Sequence, residues 1–205
     1  LSSNSSIDNV TTVISLLRKR TRPLHNEIES GIDLSLALSS RGRYRSLLEG
    51  YLGLYRPFER ALAKASEAVR SLADWPAHAH VPLLERDILA LGATPADLQT
   101  IPDAPGLPEL NDSSAMLGAL YVIEGSQLGG QIIFRDVQAK LQLDAASGAA
   151  FFAGSGDHTG AHWKRFLAGL EEQVQQPESA ADAAVAMFHY FGNWLGSVSR
   201  LQEKA

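Results

Sequence analysis

The stretch LYVIEGSQLGGQII, residues 120–133, sets Gly125, Gly129 and Gly130 inside a run whose spacing predicts one long helix from about 113 to 141. Each glycine costs a helix interior roughly 0.5–1 kcal/mol relative to alanine, so some contact has to repay the loss. At about 100° per residue, Tyr121, Gly125 and Gly129 share one face, which carries no side chain at its centre. Three readings fit that pattern: close packing against another helix, a loop in place of helix, or a flat ligand lying on bare backbone.

The remaining apolar positions also recur with helical period. Val13, Ile14, Leu17, Leu24 and Ile28 stripe a first helix that Pro23 should kink or restart, with Thr21 as the new cap. Tyr44, Leu47, Tyr51, Tyr55, Phe58 and Leu62 stripe a second, expected over about 42–72 and bent at Pro57. After a connector at 75–81, a short helix over 82–91 is ended by Gly92. The four prolines of 94–110 predict a loop with one turn, and Asp112 or Ser113 should cap the glycine-bearing helix. The small, glycine-rich segment 148–157 reads as a mobile connection. Two last helices are expected over about 159–175 and 179–202, separated by Pro177. Nothing alternates with strand period and nothing repeats. The expectation is therefore an all-α, single-domain multi-helix bundle over 10–205, five or six principal helices around one core, behind a disordered tail at 1–9.

Composition removes several classes of chemistry. The chain has no cysteine, so disulfides, thiolate zinc sites, iron–sulfur clusters and cysteine nucleophiles are excluded together. A net charge of −5, with no basic run interleaved with aromatics, speaks against nucleic acid as a partner. No apolar run reaches the length of a membrane span, and the polar start LSSNSSIDN lacks the features of a signal peptide. A cytoplasmic protein without membrane partners is the expectation. No nucleophile elbow, phosphate loop or dinucleotide fingerprint occurs.

Among the histidines, His25 falls on the inward side of the first helix by periodicity. Arg18 lies nearly two turns before it and projects the same way. Glu29, one turn on, can accept a hydrogen bond from the imidazole and so fix its tautomer. His25 reads either as an ordinary half-buried residue or as a ligand. His158 and His162 have the spacing that can hold a metal on one helix face, but they lack Glu-x-x-His partners and should be exposed. His78 and His80 in the connector, and His189, join no constellation.

Two segments together carry a resemblance. LRKRTRPLHNEIE at 17–29 and YVIEGSQLGG at 121–130, supported by HWKRFLAGL at 162–170 and AMFHYFGNWL at 186–195, resemble the heme oxygenases over roughly residues 12–200. The likeness is to the bacterial, biliverdin-producing branch, which includes the bacteriophytochrome-associated enzymes. The resemblance implies that His25 is the axial ligand of heme iron on a proximal first helix. The helix carrying Gly125, Ser126, Gly129 and Gly130 would be the distal one, its glycines letting backbone approach the heme and leaving room for dioxygen. Ser126 stands where the animal enzymes carry an aspartate that holds a water network.

The resemblance further implies that Arg18, Tyr121 and Lys164 (or its neighbour Arg165) anchor the propionates, with Arg22 a further candidate. Phe188 and Phe191 would line the pocket wall. The implied reaction is oxidative cleavage of heme b, as both substrate and cofactor, by O2 and external electrons to biliverdin, Fe(II) and CO. A reductase or ferredoxin would supply the electrons, docking on Arg18, Lys19, Arg20 and Lys164, and a bacteriophytochrome would be a recipient of the biliverdin. The rivals are a non-enzymatic heme carrier or sensor on the same fold, a thiaminase-like or di-iron enzyme, and a helical interaction protein. The thiaminase type relies on a cysteine this chain lacks, and a di-iron site needs more Glu/His pairs than it has.

Overall fold

The computed structural model describes the backbone of residues 12–31 and 33–203, and the side chains of 12–25 and 33–200. The tail expected at 1–9 and the side chain of Glu29 lie outside the described residues. Among the described residues every regular element is helical, and the all-α expectation holds. In chain order the helices are α1 (Val13–Gly31), α2 (Leu34–Ala37), α3 (Arg41–Leu62), α4 (Glu67–Leu72), α5 (Val81–Ala90), α6 (Pro95–Thr100), α7 (Ser113–Leu141), α8 (Ala150–Ala153), α9 (Thr159–Gln173) and α10 (Pro177–Glu203). None is long and apolar enough to cross a membrane.

Helix α10 is the pillar of the bundle. It packs along α7 on one side and α1 on another, with α3 closing a third. Its first half reaches α7 closely because both sides are nearly bare. Ala180, Ala181 and Ala184 are fully buried, and a Cβ on Gly118 would collide with the Ala180 carbonyl. Gly118 therefore repays its helix cost in helix–helix contact. Farther along, Trp194 Nε1–H donates to the Gly50 carbonyl at 2.7 Å, and the Tyr190 hydroxyl donates to the Ala104 carbonyl at 3.2 Å. These bonds tie α10 to α3 and to the loop before α7, and they satisfy polar groups that the core would otherwise strand.

Local sequence chose several boundaries by recognisable means. Asp112 caps α7 by accepting from the Ala115 amide at 2.9 Å, and Ser40 caps α3 through the Arg43 amide at 3.2 Å. The turn expected in the proline-rich loop is α6, opened by a reciprocal capping box between Thr94 and Asp97. Pro177 is the first residue of α10 rather than a spacer before it, where its missing N–H costs nothing.

Three further expectations fail. Thr21 is not a cap: α1 runs unbroken through Pro23, and the Thr21 hydroxyl, fully buried, donates back to the Leu17 carbonyl at 2.9 Å. The helix expected over 42–72 breaks after Leu62 and restarts at α4, where Ser66 caps by accepting from the Val69 amide. The segment 148–157 is not a bare connection, because α8 within it buries Phe151 and Phe152. Asp87 of α5 holds it there. Its carboxylate, wholly buried, accepts from the amides of Ala150 at 2.9 Å and Phe151 at 2.8 Å. Burial pushes the Asp87 carboxyl above the usual range while those two amides pull the other way.

Candidate functional site

Helices α1, α7 and α10 run in the same direction. On α1, Arg20 pairs with Glu178 and Asp182 near the start of α10, while His25, farther along, meets Phe188, farther along. On α7, Ser114 accepts from the amides of Gln175 and Gln176 just ahead of α10, and Gly118 abuts Ala180. Later, Ser126 and the ring of Phe191 both touch Tyr55. Levels along the three helices can thus be matched.

One level is closed by side chains. Tyr121 of α7, largely buried, has Thr21 and Arg18 of α1 close enough to act on its phenol. Burial raises that phenol above the ordinary tyrosine range, and the Thr21 hydroxyl and the Arg18 charge pull it back only in part. Two of the residues singled out as anion anchors, Arg18 and Tyr121, are therefore brought together.

One turn onward on each helix the structure opens. His25 is exposed, and its ring stands edge-on to buried Phe188 with 4.6 Å between centroids and 67° between planes. On α7 the three glycines part company. A Cβ on Gly129 would meet nothing within 4 Å. Gly125 faces the tip of the Trp163 ring, 3.5 Å from where its Cβ would be, and Gly130 turns inward onto Phe152 at 3.7 Å. Gly130 is thus packed against a neighbouring segment, whereas the backbone at Gly129 is bare. Leu128 and Ile132 flank Gly129 and are 40% and 61% exposed, so an apolar, partly side-chain-free strip of α7 faces outward.

Ser126 does not share that strip. Its hydroxyl donates to the Ile123 carbonyl at 2.7 Å and lies 3.1 Å from the Tyr55 hydroxyl, which then donates to it. Lys164, on α9 beside Trp163, is exposed and has no partner among the described residues. Arg165 is engaged with Asp74 at 3.5 Å and with His162 at 3.2 Å, which leaves Lys164 as the free cation of that pair. Arg20 is likewise taken, by Glu178 and Asp182, so the docking patch expected from sequence loses one member.

A family model described as heme oxygenase matches residues 11–197. The chain belongs to the heme oxygenase family. It is 38% identical to the heme oxygenase of Xanthomonas campestris over 129 residues, 62% of this chain and 73% of that one. It is 37% identical to the heme oxygenase PigA of Pseudomonas aeruginosa over 82 residues, 38% of this chain and 41% of that one. Among solved structures, the heme oxygenase of Leptospira interrogans superposes with a TM-score of 0.72 at 18% identity, covering 91% of this chain and 99% of that one. Heme oxygenase-1 of the cyanobacterium Synechocystis, solved in complex with heme, gives 0.72 at 17% identity, covering 94% and 95%. At those identities the likeness is one of fold, and it is the fold expected.

Sequence reasoning missed three features around the site of this heme oxygenase. Trp163 stacks on Phe166 with 5.7 Å between centroids and leans on Tyr121 at 5.4 Å, walling the strip at Gly125. Buried Thr21 lies close enough to Tyr121 to act on its phenol. Glu124, buried beside Gly125, hydrogen-bonds His162 Nε2 at 3.1 Å, so His162 is not the exposed residue expected. That bond, first among several causes, raises the His162 imidazole above its ordinary value. A lone acid on an otherwise apolar helix face was the available signal for this pair, since a buried carboxylate needs a partner.

Proposed function

We propose that this heme oxygenase holds heme against α1 and α7, with His25 as the axial ligand of the iron and the strip around Gly125 and Gly129 as the distal wall. The observation that supports this most is the exposed His25 imidazole, backed by Phe188, level with an outward-facing strip of α7 that has no side chain at Gly129. The residues suit the group. An imidazole ligates iron, apolar flanks cover a porphyrin, and the cations at the rim match two propionates.

Heme supplies the redox iron and the porphyrin that is oxidised, with O2 and external electrons, to biliverdin, Fe(II) and CO. The chain's own part is seating and shielding. Phe188 fixes the plane of the His25 ring. Leu128 and Ile132 would cover a porphyrin face, and Gly125 and Gly129 would let it come close to backbone, with open space at Gly129. Arg18, Tyr121 and Lys164 would hold the propionates and so orient the porphyrin. Glu29 is proposed as acceptor for the His25 N–H. Ser126, hydrogen-bonded to buried Tyr55 behind that wall, is proposed as the nearest polar group through which a proton could be passed. A cytoplasmic reductase or ferredoxin provides electrons by docking on Arg18, Lys19 and Lys164, and a bacteriophytochrome is the proposed recipient of the biliverdin.

The test is to add hemin to the purified protein, then ascorbate and air. A sharp Soret band that decays as biliverdin and CO form supports the reading. A stable heme complex that returns intact heme would make the chain a carrier and overturn it, as would the lack of any defined Soret band.

A further inference from the structure

Asp74 and His78 of the connector before α5 meet His162 of α9 near the surface, and none of the three is given a role toward heme above. We propose that they form a binding site for a first-row divalent cation of the Zn²⁺, Co²⁺ or Fe²⁺ kind. The distances carry the argument. Asp74 Oδ2 lies 3.5 Å from His162 Nδ1 and 3.7 Å from His78 Nδ1, and one donor atom from each of the three side chains falls within 4.8 Å of the other two. A tetrahedral ion with bonds of about 2.0–2.1 Å needs its ligand atoms roughly 3.4 Å apart. The three groups are therefore close to ligand spacing with no rearrangement of backbone.

His162 is also prepared electronically. Its Nε2 is held by the buried carboxylate of Glu124 at 3.1 Å, which keeps the proton on that nitrogen and turns the Nδ1 lone pair toward Asp74. A carboxylate behind a ligating imidazole is the usual means of orienting it and raising its basicity. The connector is shaped for the same end. Asp74 sits in the left-handed region at φ 49°, and the His78 amide donates to the Asp74 carbonyl at 3.1 Å, closing a turn that aims both side chains one way. The ring of His78 is beside that of His162, 5.0 Å between centroids and tilted by 48°. Two imidazoles and one carboxylate suit first-row transition ions and Zn²⁺, and are a poor match for Mg²⁺ or Ca²⁺, which prefer all-oxygen shells.

One group opposes the ion. Arg165 donates to His162 Nδ1 at 3.2 Å and reaches Asp74 at 3.5 Å. Its side chain is 71% exposed, so it can swing into solvent, and an exposed ion pair of this sort is weak. Arg165 acts as a surrogate cation that the metal displaces.

The experiment uses heme-free protein and so does not depend on the heme reading. Co²⁺ titration should give the visible absorption of a low-coordinate site with one equivalent bound, and Zn²⁺ should bleach it. His78→Ala and Asp74→Asn, both at exposed positions, should abolish it, whereas His158→Ala and His25→Ala should leave it intact. Arg165→Gln should tighten binding by about fivefold, the most that breaking an exposed pair can return. No Co²⁺ spectrum in either the parent or the Arg165→Gln protein would overturn the proposal. So would a spectrum indifferent to His78→Ala and Asp74→Asn.

Discussion

The imidazole of His25 on α1 stands edge-on to the ring of Phe188 on α10, 4.6 Å between centroids. Phe188 is buried and cannot move far, so the exposed His25 ring inherits its orientation from the core. Phe188→Leu keeps most of the volume and should cost about 1 kcal/mol or less in stability. It should nevertheless broaden the ligand geometry, seen as a wider spread of ferric EPR signals on hemin binding. An unchanged spectrum would show that the contact does not orient the ligand.

Gly129 and Gly118 sit on one helix and should respond oppositely to alanine. At Gly129 nothing lies within 4 Å of the added Cβ, so helix propensity alone acts, and Gly129→Ala should stabilise the heme-free protein by about 0.5–1 kcal/mol. Gly129→Leu should also fold but block turnover. Gly118→Ala collides with the Ala180 carbonyl and should destabilise by about 1–3 kcal/mol in a urea titration.

Arg18 lies close enough to Tyr121 for its charge to act on the phenol. Arg18→Ala should weaken hemin binding roughly tenfold, the worth of one charge-assisted hydrogen bond. It should also let heme rotate in its plane, so that the biliverdin isomers separated by chromatography become a mixture. Tyr121→Phe should give a milder form of the same change. A single isomer in both variants would remove these residues from the anchor set.

The cap of α7 gives a pH dependence. Bonds from the Ala115 amide and the Ser179 hydroxyl hold the Asp112 carboxyl below its ordinary value of 3.8. A depressed folded-state value means the stabilisation is present above about 3.8 and is lost as pH falls through the folded value. Asp112→Ala should cost about 1 kcal/mol near neutrality. Asp112→Asn keeps the cap and should flatten this part of the acid limb of the stability curve.

What the sequence made legible was whatever neighbouring residues decide. The bounds of α7, its Asp112 cap and the turn at Thr94 are set within four residues, and all stand as expected. The break after Leu62 was hidden because apolar spacing continues across it, and only Ser66 marks the restart. Thr21 looked like a cap because proline follows two residues on, yet burial against Tyr121 decided its role. The meeting of Asp74, Glu124 and His162 was invisible because three separate segments must fold before any of the three has a partner. That Arg18 lies close to Tyr121 and that Gly129 faces outward follow from helix periodicity once α1 and α7 pack side by side.

The account stands on His25 as the iron ligand, and the most direct measurement is turnover of the His25→Ala protein with and without added imidazole. Hemin should bind His25→Ala without the absorption of imidazole-ligated iron, biliverdin formation with ascorbate should fall to a small fraction, and free imidazole should restore both. Biliverdin made at the parent rate by His25→Ala alone would contradict the account.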